Sequence, residues 1–218
     1  MKPTLIWDLP TRLFHWLFAA SFAGAWFTAE GEAWRTVHLF LGYLMLGLIG
    51  FRVIWGLVGS RYARFSSFAF GPVAGAKYLF EVLRGRARRH LGHNPAGSQA
   101  IYLLLLLGVA VGFTGIFVDN EDLHEALASL MLAVVVGHVV GVILESRVQG
   151  ENLARSMVTG SKEAEPGTPA SRPRRLAATA LLVAVAAFGA WWLKYAPQPQ
   201  PYEAGEHAQL AVAVPPAT

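Results

Sequence analysis

The sequence predicts an all-α integral membrane protein, a four-helix transmembrane bundle followed by a fifth C-terminal transmembrane helix. Three observations carry that expectation. Of 218 residues, 54% are hydrophobic and only 15% charged, where a soluble domain carries about a quarter charged. The apolar residues gather in five blocks, at roughly 13–29, 36–59, 100–118, 123–144 and 176–193, and about 20 such residues make a helix that crosses a bilayer. The basic residues cluster between the blocks, which is a membrane-topology pattern and not a nucleic-acid footprint, so no nucleic-acid partner is expected. The chain has no cysteine, which excludes disulfides, iron–sulfur clusters, thiolate-ligated haem and a covalent c-type haem.

The elements follow in order. The first block has the length of a signal peptide, and "AWFTAEG" loosely resembles a cleavage region. Trp7, Asp8 and His15 in the preceding "WDLPTRLFHW" are residues that a disposable export signal does not need. Between the second and third blocks lie Arg61, Arg64, Lys77, Arg84, Arg86, Arg88 and Arg89 against Glu81 alone, whereas the "VDNEDLHE" turn between the third and fourth has acids and no bases. The positive-inside rule places the first stretch in the cytoplasm and the second outside. Lys2 and Arg12 then put the N-terminus inside, and Arg172, Arg174 and Arg175 do the same for the start of the fifth span. "GPVAGAKYLFEVLRGRARRH" starts at a Pro and reads as an amphipathic helix on the inner membrane surface, with a plain basic loop as the alternative. The Gly-, Ser- and Pro-rich stretch after residue 160 reads as a flexible cytoplasmic linker over 161–175. The Pro-rich segment 194–218 reads as a flexible periplasmic tail.

Seven histidines are present, and His15, His38, His124 and His138 fall within hydrophobic blocks. Ionisable residues are costly there and default to a functional reading. His124 and His138 are fourteen residues apart, hence on one helix face but ~21 Å apart along the axis. Topology sorts the four by depth: His15 with His138 on the inner side, His38 with His124 on the outer. Two neutral imidazoles at one level of a bundle are what the axial positions of a six-coordinate haem b require. Two levels imply two haem b groups with irons about 20 Å apart, a spacing suited to electron transfer across a bilayer. The competing readings are helix–helix hydrogen bonding by single histidines, a transition-metal transporter using the same histidines as a relay, and a membrane anchor without cofactor.

Arg52 lies fourteen residues after His38 on the same span. A haem propionate near the inner site would satisfy it, as would snorkelling to the inner surface. Arg12 beside His15 has the same two readings. Gly108 with Gly112 and Gly137 with Gly141 are spaced for close helix approach, or for a flat macrocycle.

With these residues in view, "WDLPTRLFHW", "VHLFLGY" at 37–43, "FRVIWGLVGSRYARF" at 51–65, "GHNPAG" at 92–97, "LHEALA" and "VVGHVVGV" resemble bacterial cytochrome b561 proteins. The likeness is to the branch shared with the cytochrome b subunits of Ni,Fe-hydrogenases, and it covers about residues 5–160. It implies a four-helix di-haem core in the inner membrane over residues 1–160, with His15, His38, His124 and His138 as axial ligands. It further implies electron traffic between a quinone pool and a redox partner, often periplasmic, such as a c-type cytochrome or a hydrogenase. Asn94 within "GHNPAG" is expected to line the inner haem or a quinone pocket, or else to start the third span as a structural turn with Pro95. The sequence departs from the family after residue 160, where a fifth span follows.

Overall fold

The computed structural model describes residues 1–196; most of the expected tail, with His207, lies outside the described residues. Strand β1 (Lys2–Leu5) leads into α1 (Leu9–Phe27), and α2 (Arg35–Val58) returns alongside it. The amphipathic α3 (Pro72–Leu83) precedes α4 (Pro95–Phe117) and α5 (Glu121–Gln149). A short α6 (Leu153–Thr159), strand β2 (Ser161–Ala164) and α7 (Arg175–Tyr195) complete the chain. Four helices, those containing α2, α4, α5 and α7, are long and apolar enough to cross a membrane. Helix α1 is not among them, because Arg12 and His15 dilute its apolar content. The chain is a multi-pass membrane protein.

Helix boundaries follow local chemistry. The α1 helix begins four residues before the first apolar block because Asp8 caps it, its carboxylate accepting from Thr11 N at 2.9 Å, with Pro10 in the first turn. Asn94 and Asn120 cap α4 and α5 in the same way. Glu121 and Asp122 add negative charge to the first turn of α5, where the helix dipole favours it. Its far end runs past the apolar block to Gly150, which adopts a left-handed φ of 64°.

Helices α1 and α2 pack on each other, α2 on α4, and α4 on α5, while α7 lies against α1 and α2. One core groups Phe14, Leu44, Leu48 and Leu181 from α1, α2 and α7, with Phe188 of α7 stacked on Phe40 at 5.3 Å. A second groups Phe22, Met45, Leu107 and Met131 from α1, α2, α4 and α5. Helix α3 matches the amphipathic reading but divides its apolar residues between two surroundings. Tyr78 and Val82 are buried, whereas Val73 and Leu79 remain exposed, as a helix half in protein and half in lipid would place them.

Two expectations require correction. The described chain is not wholly helical: β1 pairs antiparallel with β2, from Lys2 opposite Ala164 to Leu5 opposite Ser161. The stretch read as a flexible linker is also ordered over much of its length. Gly160 O accepts from both Ile6 N and Trp7 N at 2.9 Å, Ser171 N and Oγ reach Leu5 O and Ile6 O at 2.7 and 2.6 Å, and Leu9 N reaches Pro173 O. Composition reported only the missing apolar residues. The ordering comes from backbone groups that pair with residues more than 150 positions earlier, satisfying polar groups that would otherwise be orphaned. This strap, the 59–94 segment and α6 gather at one end of the bundle, called the basic end here. The α1–α2 and α4–α5 turns, with Glu30, Glu32, Asp119, Glu121 and Asp122, form the acidic end.

Candidate cofactor sites

The structure brings His15, His38, His124 and His138 together as two pairs, matched as the sequence depths suggest. Near the acidic end, His38 in the first turn of α2 and His124 in the first turn of α5 have ring centroids 6.1 Å apart. His38 Nδ1 lies 2.9 Å from Ala25 O, and His124 Nδ1 lies 3.1 Å from Val111 O. A carbonyl can only accept, so each Nδ1 carries the proton and each Nε2 presents a lone pair. A carbonyl bound to Nδ1–H in this way fixes the tautomer and direction of a ligating imidazole. Thr114 Oγ1, at 3.3 Å, also faces His124 Nδ1. Gly115 makes room for that ring: a Cβ there would stand 3.0 Å from His124 Cε1.

Nearer the basic end, His15 of α1 and His138 of α5 have ring centroids 6.5 Å apart. Trp16 meets His15 edge-on at 4.9 Å. His15 Nδ1 is buried without a hydrogen-bond partner, so this pair is less firmly oriented than the other.

The separations suit an iron between each pair. An imidazole nitrogen binds a first-row metal at about 2 Å with its ring centre roughly 1 Å further back, so two rings sharing one iron have centres about 6 Å apart. Some glycines near the pairs leave open space. At Gly42, Gly137 and Gly141 a Cβ would meet no atom within 4 Å beyond its own helix backbone and chain neighbours, and Gly137 and Gly141 flank His138. The two glycine pairs singled out in the sequence therefore differ. Gly108 and Gly112 are the close-approach pair, pressed by Ile49 and Leu46 of α2, while Gly137 and Gly141 are open.

A family model for prokaryotic cytochrome b561 matches residues 6–160. The chain belongs to that family. It is similar to a probable Ni/Fe-hydrogenase B-type cytochrome subunit of Azotobacter chroococcum mcd 1, 31% identical over 149 residues that cover 55% of this chain and 61% of the relative. A probable Ni/Fe-hydrogenase 1 B-type cytochrome subunit of Escherichia coli (strain K12) is 22% identical over 226 residues, covering 78% and 94%. The chain spans about three fifths of the length of the Azotobacter relatives it matches. No solved structure matches it.

A cytochrome b561 protein holds haem b, and the remaining residues at the basic end fit such a group unequally. Arg52 fits well. It is buried at 2% exposure, both terminal nitrogens lack a partner, and its guanidinium lies 4.7 Å from the Phe65 ring centre. The buried Asp8 carboxylate acts on it through space but takes no hydrogen bond from it, so two donors are left for a further anion such as a propionate, and at 2% exposure the side chain does not reach the surface. Arg12 is different: its Nη1 donates to Val158 O at 2.5 Å and so ties α1 to the end of α6. The Asn94 side chain is also engaged, with Oδ1 accepting from Gly97 N at 2.6 Å and Nδ2 donating to Glu145. One end of the amide thus caps α4, as the turn reading has it, and the other meets α5.

Three features escaped the sequence reading. Asp8 is fully buried and accepts from Trp55 Nε1 at 3.0 Å as well as from Thr11. His93 sits between Trp7 and Phe68, tilted against both rings, with centroids at 4.6 and 4.3 Å; burial first and the Arg52 charge second push its imidazole down to about 3, so the ring is neutral. Glu145 is a buried carboxyl on α5. Its place on the His138 face is visible in the sequence, seven residues on, but its burial is not.

Proposed function

We propose that this cytochrome b561 protein is a di-haem electron carrier that moves electrons across the inner membrane between the quinone pool and a redox partner on the far side. His15 and His138 hold one haem b, and His38 and His124 hold the second. The observation that carries this reading is the meeting of four histidines as two pairs, each at the spacing of a shared iron. The haem irons supply the one-electron chemistry when bound. The chain's own residues bind and orient them, and Arg52 neutralises charge at the inner site. Met131, Met45, Phe22 and Leu107 form a dry layer between the levels, with Met131 at 0% exposure and seven residues from each histidine of α5. Helix α1 crosses beside α2, making five spans with α7. The basic end faces the cytoplasm by the positive-inside rule, and residues from Lys194 onward emerge outside.

The relatives' names make a hydrogenase-like protein the leading partner at the acidic end, with a c-type cytochrome as the other candidate. The transporter reading has no observation in its favour. Each level holds two imidazoles, and among the described residues no group of three or more ligating side chains forms.

Mixing the purified protein with a soluble quinol tests the function. Reduction of the b-haem absorption bands is expected. Bands that respond to dithionite but not to any quinol would remove the quinone from the reading. Arg52→Leu is expected to lower the inner midpoint potential by tens of millivolts, where about 59 mV is a tenfold effect on a one-electron couple, because a nearby cation favours the reduced state. Arg52→Lys should lower it less. Redox titration of both variants measures this.

A further inference from the structure

Glu145 sits in the last turns of α5, about 10 Å along the axis from His138 and on the same helix face. It is 8% exposed and has no ion-pair partner among the described residues; the nearby Lys162 is engaged with Glu151 and with His90 O. Its Oε2 accepts from Asn94 Nδ2, and its Oε1 lies 2.8 Å from the Tyr78 hydroxyl. That hydroxyl also lies 2.9 Å from Arg88 O. A phenol has one proton and a carbonyl has none to give. Tyr78 can therefore donate to only one of these two oxygens.

The same heavy-atom arrangement thus serves both protonation states of Glu145. When the carboxyl is ionised, Tyr78 donates to it, and Gln149 Nε2, at 3.2 Å, supplies Arg88 O. When it is protonated, it donates to the Tyr78 oxygen and Tyr78 turns to Arg88 O. Burial pushes the Tyr78 hydroxyl well above its ordinary range, so Tyr78 keeps its own proton throughout. Arg88 is exposed at the basic end, which brings the network to water.

We infer that Glu145 is the proton-exchanging group of the inner site, taking up one proton from the basic-end surface when that site gains an electron and releasing it when the electron leaves. The inference rests on the di-haem reading. One electron arrives from a quinol or, in a titration, from a redox mediator; one proton arrives from water; the added charge at the site is cancelled. The other charged and titratable groups around Glu145 are Tyr78 and Glu81 of α3, Arg88, Arg89 and His90 of the following segment, Glu151, and Lys162 of β2.

The test is a spectroelectrochemical titration of the intact protein over a range of pH, with redox-difference infrared spectra. The inner-site potential is expected to fall as pH rises, because the reduced state holds the extra proton, and a protonated-carboxyl band should appear on reduction. In Glu145→Gln, which keeps the size and can still hydrogen-bond, the potential should become independent of pH and the band should vanish. Tyr78→Phe provides the control that retains the carboxyl. Without its donor, the ionised form loses stabilisation, so the sloping window should move to higher pH. A haem-loaded protein whose potential is flat with pH, or a Glu145→Gln variant that keeps the slope and band, or an unmoved window in Tyr78→Phe, overturns the assignment of Glu145 alone. A colourless protein overturns the di-haem reading beneath it.

Discussion

Replacing either histidine of a pair with alanine is expected to remove one haem and spare the other. For His38→Ala or His124→Ala the lost haem is the one near the acidic end; for His15→Ala or His138→Ala it is the one near Arg52. The expectation follows from the ring centroids, 6.1 and 6.5 Å apart within pairs, while the two levels are separated by fourteen residues of α5 or ~21 Å. Loss of an axial ligand should exceed the roughly 10–100-fold affinity cost of losing a group that only hydrogen-bonds to a ligand, so haem content per chain should fall from two to one. Thr114→Val, which removes only the hydroxyl beside His124, should leave both haems bound because Val111 O still accepts from Nδ1. Haem quantitation with reduced-minus-oxidised spectra measures each variant. Loss of the same haem in His15→Ala and His124→Ala would contradict the pairing.

Asp8→Ala is expected to have the largest effect on stability outside the four paired histidines. The carboxylate is fully buried, caps α1 through Thr11 N and accepts from Trp55 Nε1 of α2, so its removal loses a cap and strands an indole donor. Cap loss costs about 1 kcal/mol and an unsatisfied buried donor about 1–3 kcal/mol, so about 3 kcal/mol in all is expected. Asp8→Asn should cost less, because its side-chain oxygen still caps. Thermal unfolding in detergent, followed by loss of the haem bands and of helical signal, reads both. An Asp8→Ala protein as stable as the parent would show that the Asp8–Trp55 link holds nothing together.

Much of this arrangement was legible because a bilayer makes polar residues conspicuous. Four histidines in oily blocks, ordered by the charge of the connecting turns, were enough to pair His15 with His138 and His38 with His124. The amphipathic α3 was legible for a similar reason, since its pattern places Tyr78 and Val82 on one side. What could not be read depends on contacts between distant segments. The β1–β2 pairing and the Gly160 and Ser171 hydrogen bonds involve backbone groups, which leave no compositional trace, so an ordered strap looked like a flexible linker. Gly115 is one of many glycines until its contact with the His124 ring is seen. Asn94 looked available to a cofactor because its spacing did not show that α4 and Glu145 already use both ends of its amide. Glu145 itself stood just beyond an apolar block, where a surface carboxylate is the ordinary expectation, and only α3 and the 84–94 segment folding over it make it buried.

The most direct measurement is haem quantitation of the purified, intact protein by pyridine haemochrome, alongside a dithionite-reduced minus air-oxidised spectrum. Two b-type haems per chain, both reducible, are the expected result. A colourless protein after expression with adequate haem would contradict the electron-transfer function, and a single haem per chain would mean that one histidine pair is not a site.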